Sequence, residues 1–313
     1  MKACAHCGCE NEDLASECKE CHNAGFHPLA APQTELDAEQ LPAPNAIVPE
    51  EIPPAVASTA LDQPPPLPLV EGVPAAAASS AWSERRWRLF ELILVCVIAF
   101  GSSILRSGEI LFTGELGASY AGAFKWIYPS IHELGALALL WYVLHRRMLS
   151  FGSIGMRWTR LDVVFGPLLW LVGSVAYSIL APMTSNVFAV YLPRLNTHPD
   201  VAKYLFGGSV TILCLVFQLI NPFFEELIVR AYLMTELKHL TGSMTVAVAG
   251  SVLVQVSYHF YQGAPAALSH AGMFLLFSLY YAKTKRIFAP ILAHLLTDLT
   301  ATLYYVMKIG HGG

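Results

Sequence analysis

From residue 88 onward the chain alternates long apolar runs with short polar or charged breaks. The runs predict helices near 88–105, 123–144, 162–181, 204–222, 223–240, 243–262, 266–282 and 287–308. A helix needs about 20 apolar residues to cross a bilayer, so most of these runs are long enough and the shorter ones less clearly so. Residues 204–240 read either as one kinked helix or as two. Asn221-Pro222 suits a kink, or a fresh start with Asn as N-cap and Pro in the first turn. Thr241-Gly242 reads as a helix-to-helix turn. Before residue 83 the pattern differs. Residues 28–82 hold 12 of the 20 prolines and several acids but no Lys or Arg. Such a stretch cannot bury a core and is expected to be an extended, disordered tether. The fold class expected is therefore all-α: a polytopic bundle of about seven or eight transmembrane helices over 83–313. A tether at 28–82 links it to a small cysteine-rich head at 1–27.

Composition supports that division. The chain is 55% hydrophobic and 13% charged, where a soluble domain carries roughly 25% charged residues. A soluble enzyme is excluded, and no nucleic-acid partner is expected. The net charge of −4 averages an acidic arm with a membrane body. Met1-Lys2-Ala3-Cys4 leads into cysteines and not into a signal-peptide core. The cations are placed unevenly. Arg85, Arg86 and Arg88 precede the first run, and Arg146, Arg147, Arg157 and Arg160 follow the second. Lys238 ends the long segment, and Lys283, Lys285 and Arg286 precede the last run. If 204–240 crosses once, all of them fall on one side, which the positive-inside rule makes cytoplasmic. The expectation is a multi-pass cell-membrane protein with a cytoplasmic N-terminus.

In the head, Cys4-x-x-Cys7 and Cys18-x-x-Cys21 form two knuckles separated by ten residues. Two such hairpins offer four thiolates to one tetrahedral Zn2+, and reducing cytosol favours metal thiolates over disulfides. A zinc ribbon this small folds only with its metal, and it suits a protein–protein contact better than catalysis. Cys9, His6 and His22 are spare donors. Cys96 and Cys214 read as packing residues.

The candidate chemistry lies in the apolar runs. Ionisable side chains at mid-bilayer cost about 2.5–3.5 kcal/mol each on insertion scales, yet Glu225, Glu226, Arg230, His259, His294 and Asp298 all lie there. Glu225 is 17 residues before Gly242 and His259 is 17 after it. In an antiparallel hairpin with uniform rise they sit level. Glu226 and Arg230 can pair at i, i+4, which leaves Glu225 free. His294 and Asp298 share a face one turn apart. Taken singly, each has a structural reading: a surface ion pair, a packed imidazole, a hydrogen-bonded pair. Their order on successive apolar segments is what points to one site.

Glu225-Glu226-x-x-x-Arg230, then His259, then His294-x-x-x-Asp298 resembles the three-motif signature of the CAAX protease and bacteriocin-processing family. These are intramembrane endopeptidases related to the type II CAAX prenyl protease. The resemblance extends over roughly 88–308. It implies a helical bundle with a cavity open toward the cytosol and cleavage of membrane-associated, including prenylated, peptides. In it Glu225 would activate water with help from His259, while His294 and Asp298 would stabilise an oxyanion or hold a metal. Two positions depart from the pattern. Gln255 stands where Phe is common, and Asp298 where the prenyl-protease branch commonly has Asn. An ionised Asp only accepts hydrogen bonds, so an oxyanion role at 298 needs a protonated acid.

The residues are consistent with hydrolysis by a water activated at a desolvated carboxylate. A metal-assisted version is also open, although His132-Glu133 lacks the second histidine of an H-E-x-x-H motif. Two other classes use the same groups. An ion-coupled transporter would relay protons through Glu225, His259 and Asp298, but no inverted repeat is evident. A non-catalytic scaffold or chaperone would keep the fold and recruit partners through the head.

Overall fold

The computed structural model describes residues 2–4, 10–12, 26–28, 75–115, 123–197, 199, 201, 205 and 210–310. It divides into two units, Met1–Ser80 and Ala81–Gly313. In the first, three short strands form an antiparallel sheet in the order β2-β1-β3: β1 Lys2–Cys4, β2 Glu10–Asn11 and β3 Phe26–Pro28. Lys2 pairs with Asn11 and Ala3 with Glu10, so this hairpin brackets the first cysteine knuckle. Cys4 ends β1, while Cys7, Cys18 and Cys21 lie outside the described residues, as does most of the expected tether.

Among the described residues, the second unit is built of seven helices: α1 Ala75–Thr113, α2 Phe124–Arg146, α3 Asp162–Tyr191, α4 Ile212–Thr241, α5 Met244–His259, α6 Ala264–Thr284 and α7 Phe288–Gly310. The first four are long and apolar enough to cross a membrane. The protein is a multi-pass membrane protein. α5, at 16 residues, is about 24 Å long and shorter than a hydrocarbon core of about 30 Å. α1 begins at Ala75, inside the stretch read as tether, and runs eight residues beyond its expected end.

The segment read as one helix or two is a single helix, α4, that begins at Ile212 and not at 204. Thr211 caps it by accepting from the backbone N–H of Cys214 at 3.4 Å. Pro222 lies inside it. Four residues later the winding loosens into a π-helical stretch, Glu226–Leu233, before α-winding resumes at Met234. π-turns within α-helices recur at functional sites. Every residue from Phe224 to Met234 is buried, which makes this stretch the axis of the bundle. Gly242 ends α4 in the left-handed region (φ 73°), and Ser243 caps α5. The Thr241-Gly242 turn is thus where the sequence put it. Around this axis α2 packs on α4, α5 on α6, and α3 on α6 and α7. α3 approaches closely because it presents Gly166 to Leu292 and Gly173 to Met273, where a Cβ would come within 2.8 Å.

The bundle has two chemically distinct ends. At one end Arg146 and Arg147 both donate to Glu91, and Arg147 also donates to Glu236 at 2.8 Å. Arg88 lies 3.7 Å from Glu236, and Arg85 donates to the Leu240 carbonyl. The α2–α3 loop joins the same end. Its Gly155 carbonyl accepts from the Ile287 N–H, and Arg286 pairs with Asp162 at 2.6 Å. A Cβ at Gly155 (φ 96°) would fall 2.3 Å from the Lys285 carbonyl oxygen, so close approach of the two loops requires glycine. This arginine belt ties together the ends of α1, α2 and α4 and, through Arg286, joins the α6–α7 turn to the start of α3. At the opposite end Ser107 bonds the Tyr258 carbonyl at 2.7 Å and Thr184 the Pro265 carbonyl at 3.1 Å.

Candidate active site

The loosened stretch of α4 aims two adjacent carboxylates in different directions. Glu226 turns into the core. Its Oε1 accepts from Arg230 Nη1 at 2.8 Å and from His294 Nδ1 at 2.8 Å, with Glu226 and Arg230 fully buried. Since a carboxylate accepts, the Nδ1 of His294 carries the proton, and its Nε2 faces the other way. The Arg230 guanidinium lies over the rings of Phe274 and Phe277 and donates through Nη2 to Gln255 Oε1. Gln255 Nε2 in turn donates to Glu225 Oε2 at 3.1 Å. The position that departs from the resembled motif thus bridges the arginine and the first glutamate.

Glu225 is 7% exposed and faces a cavity. Tyr258 donates to its Oε2 at 2.6 Å. His294 Nε2 stands 4.0 Å from the same oxygen and 3.8 Å from Asp298 Oδ1. Tyr258, Gln255 and His294 all approach Glu225 through Oε2. By sequence Asn221-Pro222 suits a kink or a fresh helix start; both residues lie inside α4.

His259, at the end of α5, is buried. Its Nδ1–H donates to the Gln255 carbonyl at 2.8 Å, which fixes a tautomer with an unprotonated Nε2 in the neutral ring. The ring lies against Tyr258, Phe274 and His270, with centroids 4.7, 4.9 and 6.1 Å away. It is therefore one side chain removed from Glu225, through Tyr258, and does not pair with it directly. The end of α5 does reach Glu225, but through Tyr258, which points about 100° away from its neighbour His259.

The cavity, about 690 Å3, is walled by Glu225, Phe224, Tyr258, Glu133, His132 and Arg106, among others. Glu133 enters from α2, is buried, and leaves its Oε2 without a hydrogen-bond partner in the protein. His132 Nε2–H donates to the Ile98 carbonyl at 3.0 Å and holds α2 against α1. Glu133, Gln255 and Tyr258 are site residues that the sequence reading left without a role. A buried acid in the second apolar run was the available signal for Glu133; nothing local marks Tyr258.

Residues 207–300 match the family model for type II CAAX prenyl endopeptidase, Rce1-like.

That family is one of hydrolases, and the matched segment carries α4 to α6 and the first part of α7, with all six candidate residues. No curated protein and no solved structure matches the chain. Among the described residues no three His, Cys, Asp or Glu side chains group closely enough to hold a metal ion. The site as built does not fit a resident catalytic metal, and no step is derived through one.

Proposed function

We propose that the protein is an intramembrane endopeptidase that cuts membrane-associated peptides, prenylated ones among them, with a water activated at Glu225. The observation that carries this reading is the Glu225 carboxylate: buried, held by Tyr258 and Gln255 through one oxygen, and lining a cavity of about 690 Å3. A water in the cavity gives its proton to Glu225 as its oxygen attacks the scissile carbonyl carbon. The C–N bond then breaks, and that proton passes to the leaving amine. In its protonated form His294 can donate from Nε2 to the developing oxyanion. Glu226 holds that ring from the far side, paired with Arg230. Asp298, 3.8 Å from Nε2, orients the imidazole and has no need to act as a donor. His259 supports the Gln255–Tyr258 segment that grips Glu225.

The head is proposed as a zinc ribbon on Cys4, Cys7, Cys18 and Cys21 that docks a protein partner. The N-terminus is proposed to be cytoplasmic, from the arginine belt.

The deciding experiment offers a labelled prenylated or hydrophobic peptide to purified wild type and Glu225→Gln in vesicles. Cleavage by wild type alone supports the reading. Equal cleavage by both removes Glu225 as the base. A proton or cation flux without cleavage would favour a transporter.

A further inference from the structure

α2 carries a single acid, Glu133, in the middle of its apolar run. A buried acid without a partner is costly, so its placement asks for a reason. Glu133 is 5% exposed, and its Oε2 meets no hydrogen-bond donor. Among the described residues no lysine or arginine pairs with it. Nor does it fasten the bundle. Its neighbour His132 does that, donating to the Ile98 carbonyl and setting its ring edge-on to Phe224 with centroids 6.2 Å apart. The 132–133 step of α2 thus stands against the 224–225 step of α4. Glu133 and Glu225 line the same cavity.

The charges that bear on Glu133 are those of Glu225, Asp298 and His294. Two of the three are acids, and the Nδ1–H of the third is committed to Glu226. Arg230 is taken up by Glu226 and Gln255. Lys125 stands eight residues away on α2, about 12 Å along the axis, and Arg106 has contacts of its own. A metal ion would need several ligands at one point, and among the described residues no three His, Cys, Asp or Glu side chains group so closely. A single positive group brought by the bound molecule has no such requirement. One ammonium or guanidinium at Glu133 would satisfy Oε2 with a charge-assisted hydrogen bond and offset the repulsion from Glu225 and Asp298.

We propose that Glu133 is a specificity residue: it receives the side chain of a lysine or arginine of the bound peptide, close to the bond that the Glu225 water attacks. The substrates are then peptides with a basic residue beside the cleavage site. That such a peptide is cut rests on the hydrolase reading, whereas the binding of its cation at Glu133 does not. Glu225 takes its hydrogen bonds from the neutral donors Tyr258 and Gln255 and keeps the role of base.

The test uses the full chain in phosphatidylcholine nanodiscs, whose lipid carries no net charge. A dansylated hydrophobic decapeptide is made as a set, with a single lysine moved through its positions and each member matched by norleucine, a neutral side chain of similar length. Binding is read by fluorescence anisotropy, and cleavage by chromatography of the same samples. At one position or two neighbouring ones, lysine should bind about tenfold tighter than norleucine to wild type. In Glu133→Gln that difference should shrink below about twofold. The norleucine affinity should hold, and the melting temperature should hold or rise, because the variant removes a buried acid that has no partner. Equal affinities for lysine and norleucine at every position in wild type overturn the proposal. So does a lysine preference that survives Glu133→Gln. An equal loss for both peptides in that variant, or a fall in its melting temperature, would assign the acid to the water or to the fold and overturns it too. A lysine preference without cleavage of any peptide leaves the cation site standing and removes the hydrolase reading.

Discussion

The belt and the active-site cluster are both partly buried networks of acids and bases, but they balance in opposite directions. At the belt, Glu91 and Glu236 share Arg88, Arg146 and Arg147, so each buried carboxylate faces two guanidinium groups. In the site, Glu225, Glu226 and Asp298 gather around Arg230 and the imidazole of His294, and Glu133 lines the same cavity as Glu225. Cations in excess at a membrane surface can snorkel to water. Carboxylates in excess within a bundle have no such outlet, and holding them there is costly. The first arrangement fastens helix ends. The second keeps one acid underpartnered beside a cavity, which is the condition a general base needs.

The sharpest way to break the contrast is Arg230→Met. It strands Glu226 with no guanidinium partner, and removal of one member of a buried pair costs about 3–5 kcal/mol. Thermal unfolding in detergent should show that loss, with little folded protein recovered. Next, Glu225→Gln should lower cleavage by about 100-fold or more while the melting temperature holds, because an amide can still accept from Tyr258. A matching fall in stability would place Glu225 with the fasteners. At the belt, Glu236→Gln should cost about 1–3 kcal/mol and leave turnover per folded molecule unchanged. A loss of turnover there would join the two networks. The smallest effect expected is for Tyr258→Phe, which frees one bond to Glu225 and should slow cleavage about tenfold.

Much of this contrast could be read along the chain, because hydrophobic run length and charge placement are local. The belt follows from where Arg85, Arg88, Arg146, Arg147 and Arg286 interrupt the apolar pattern. Pairing of Glu226 with Arg230 follows from helical spacing alone. The wiring of Glu225 does not, because it depends on non-local contacts. Gln255 and Tyr258 come from another helix, and Glu133 from a third. His259 illustrates the limit. Equal counts on either side of Gly242 put it level with Glu225, yet it is the adjacent Tyr258 that reaches the carboxylate. Asn221-Pro222 illustrates another. The pair suits a helix start as well as a kink, yet the helix runs through it.

The π-helical stretch also works as a spacer between two machines. Winding the same eight residues Glu226–Leu233 as ordinary α-helix would turn everything from Met234 to Thr241 about the axis, swinging Glu236 away from Arg147 while Glu225 stayed in place. The slack turn is thus a phase adjuster: it lets one rod address a reaction chamber and a surface clasp that a uniform spiral would present at incompatible angles.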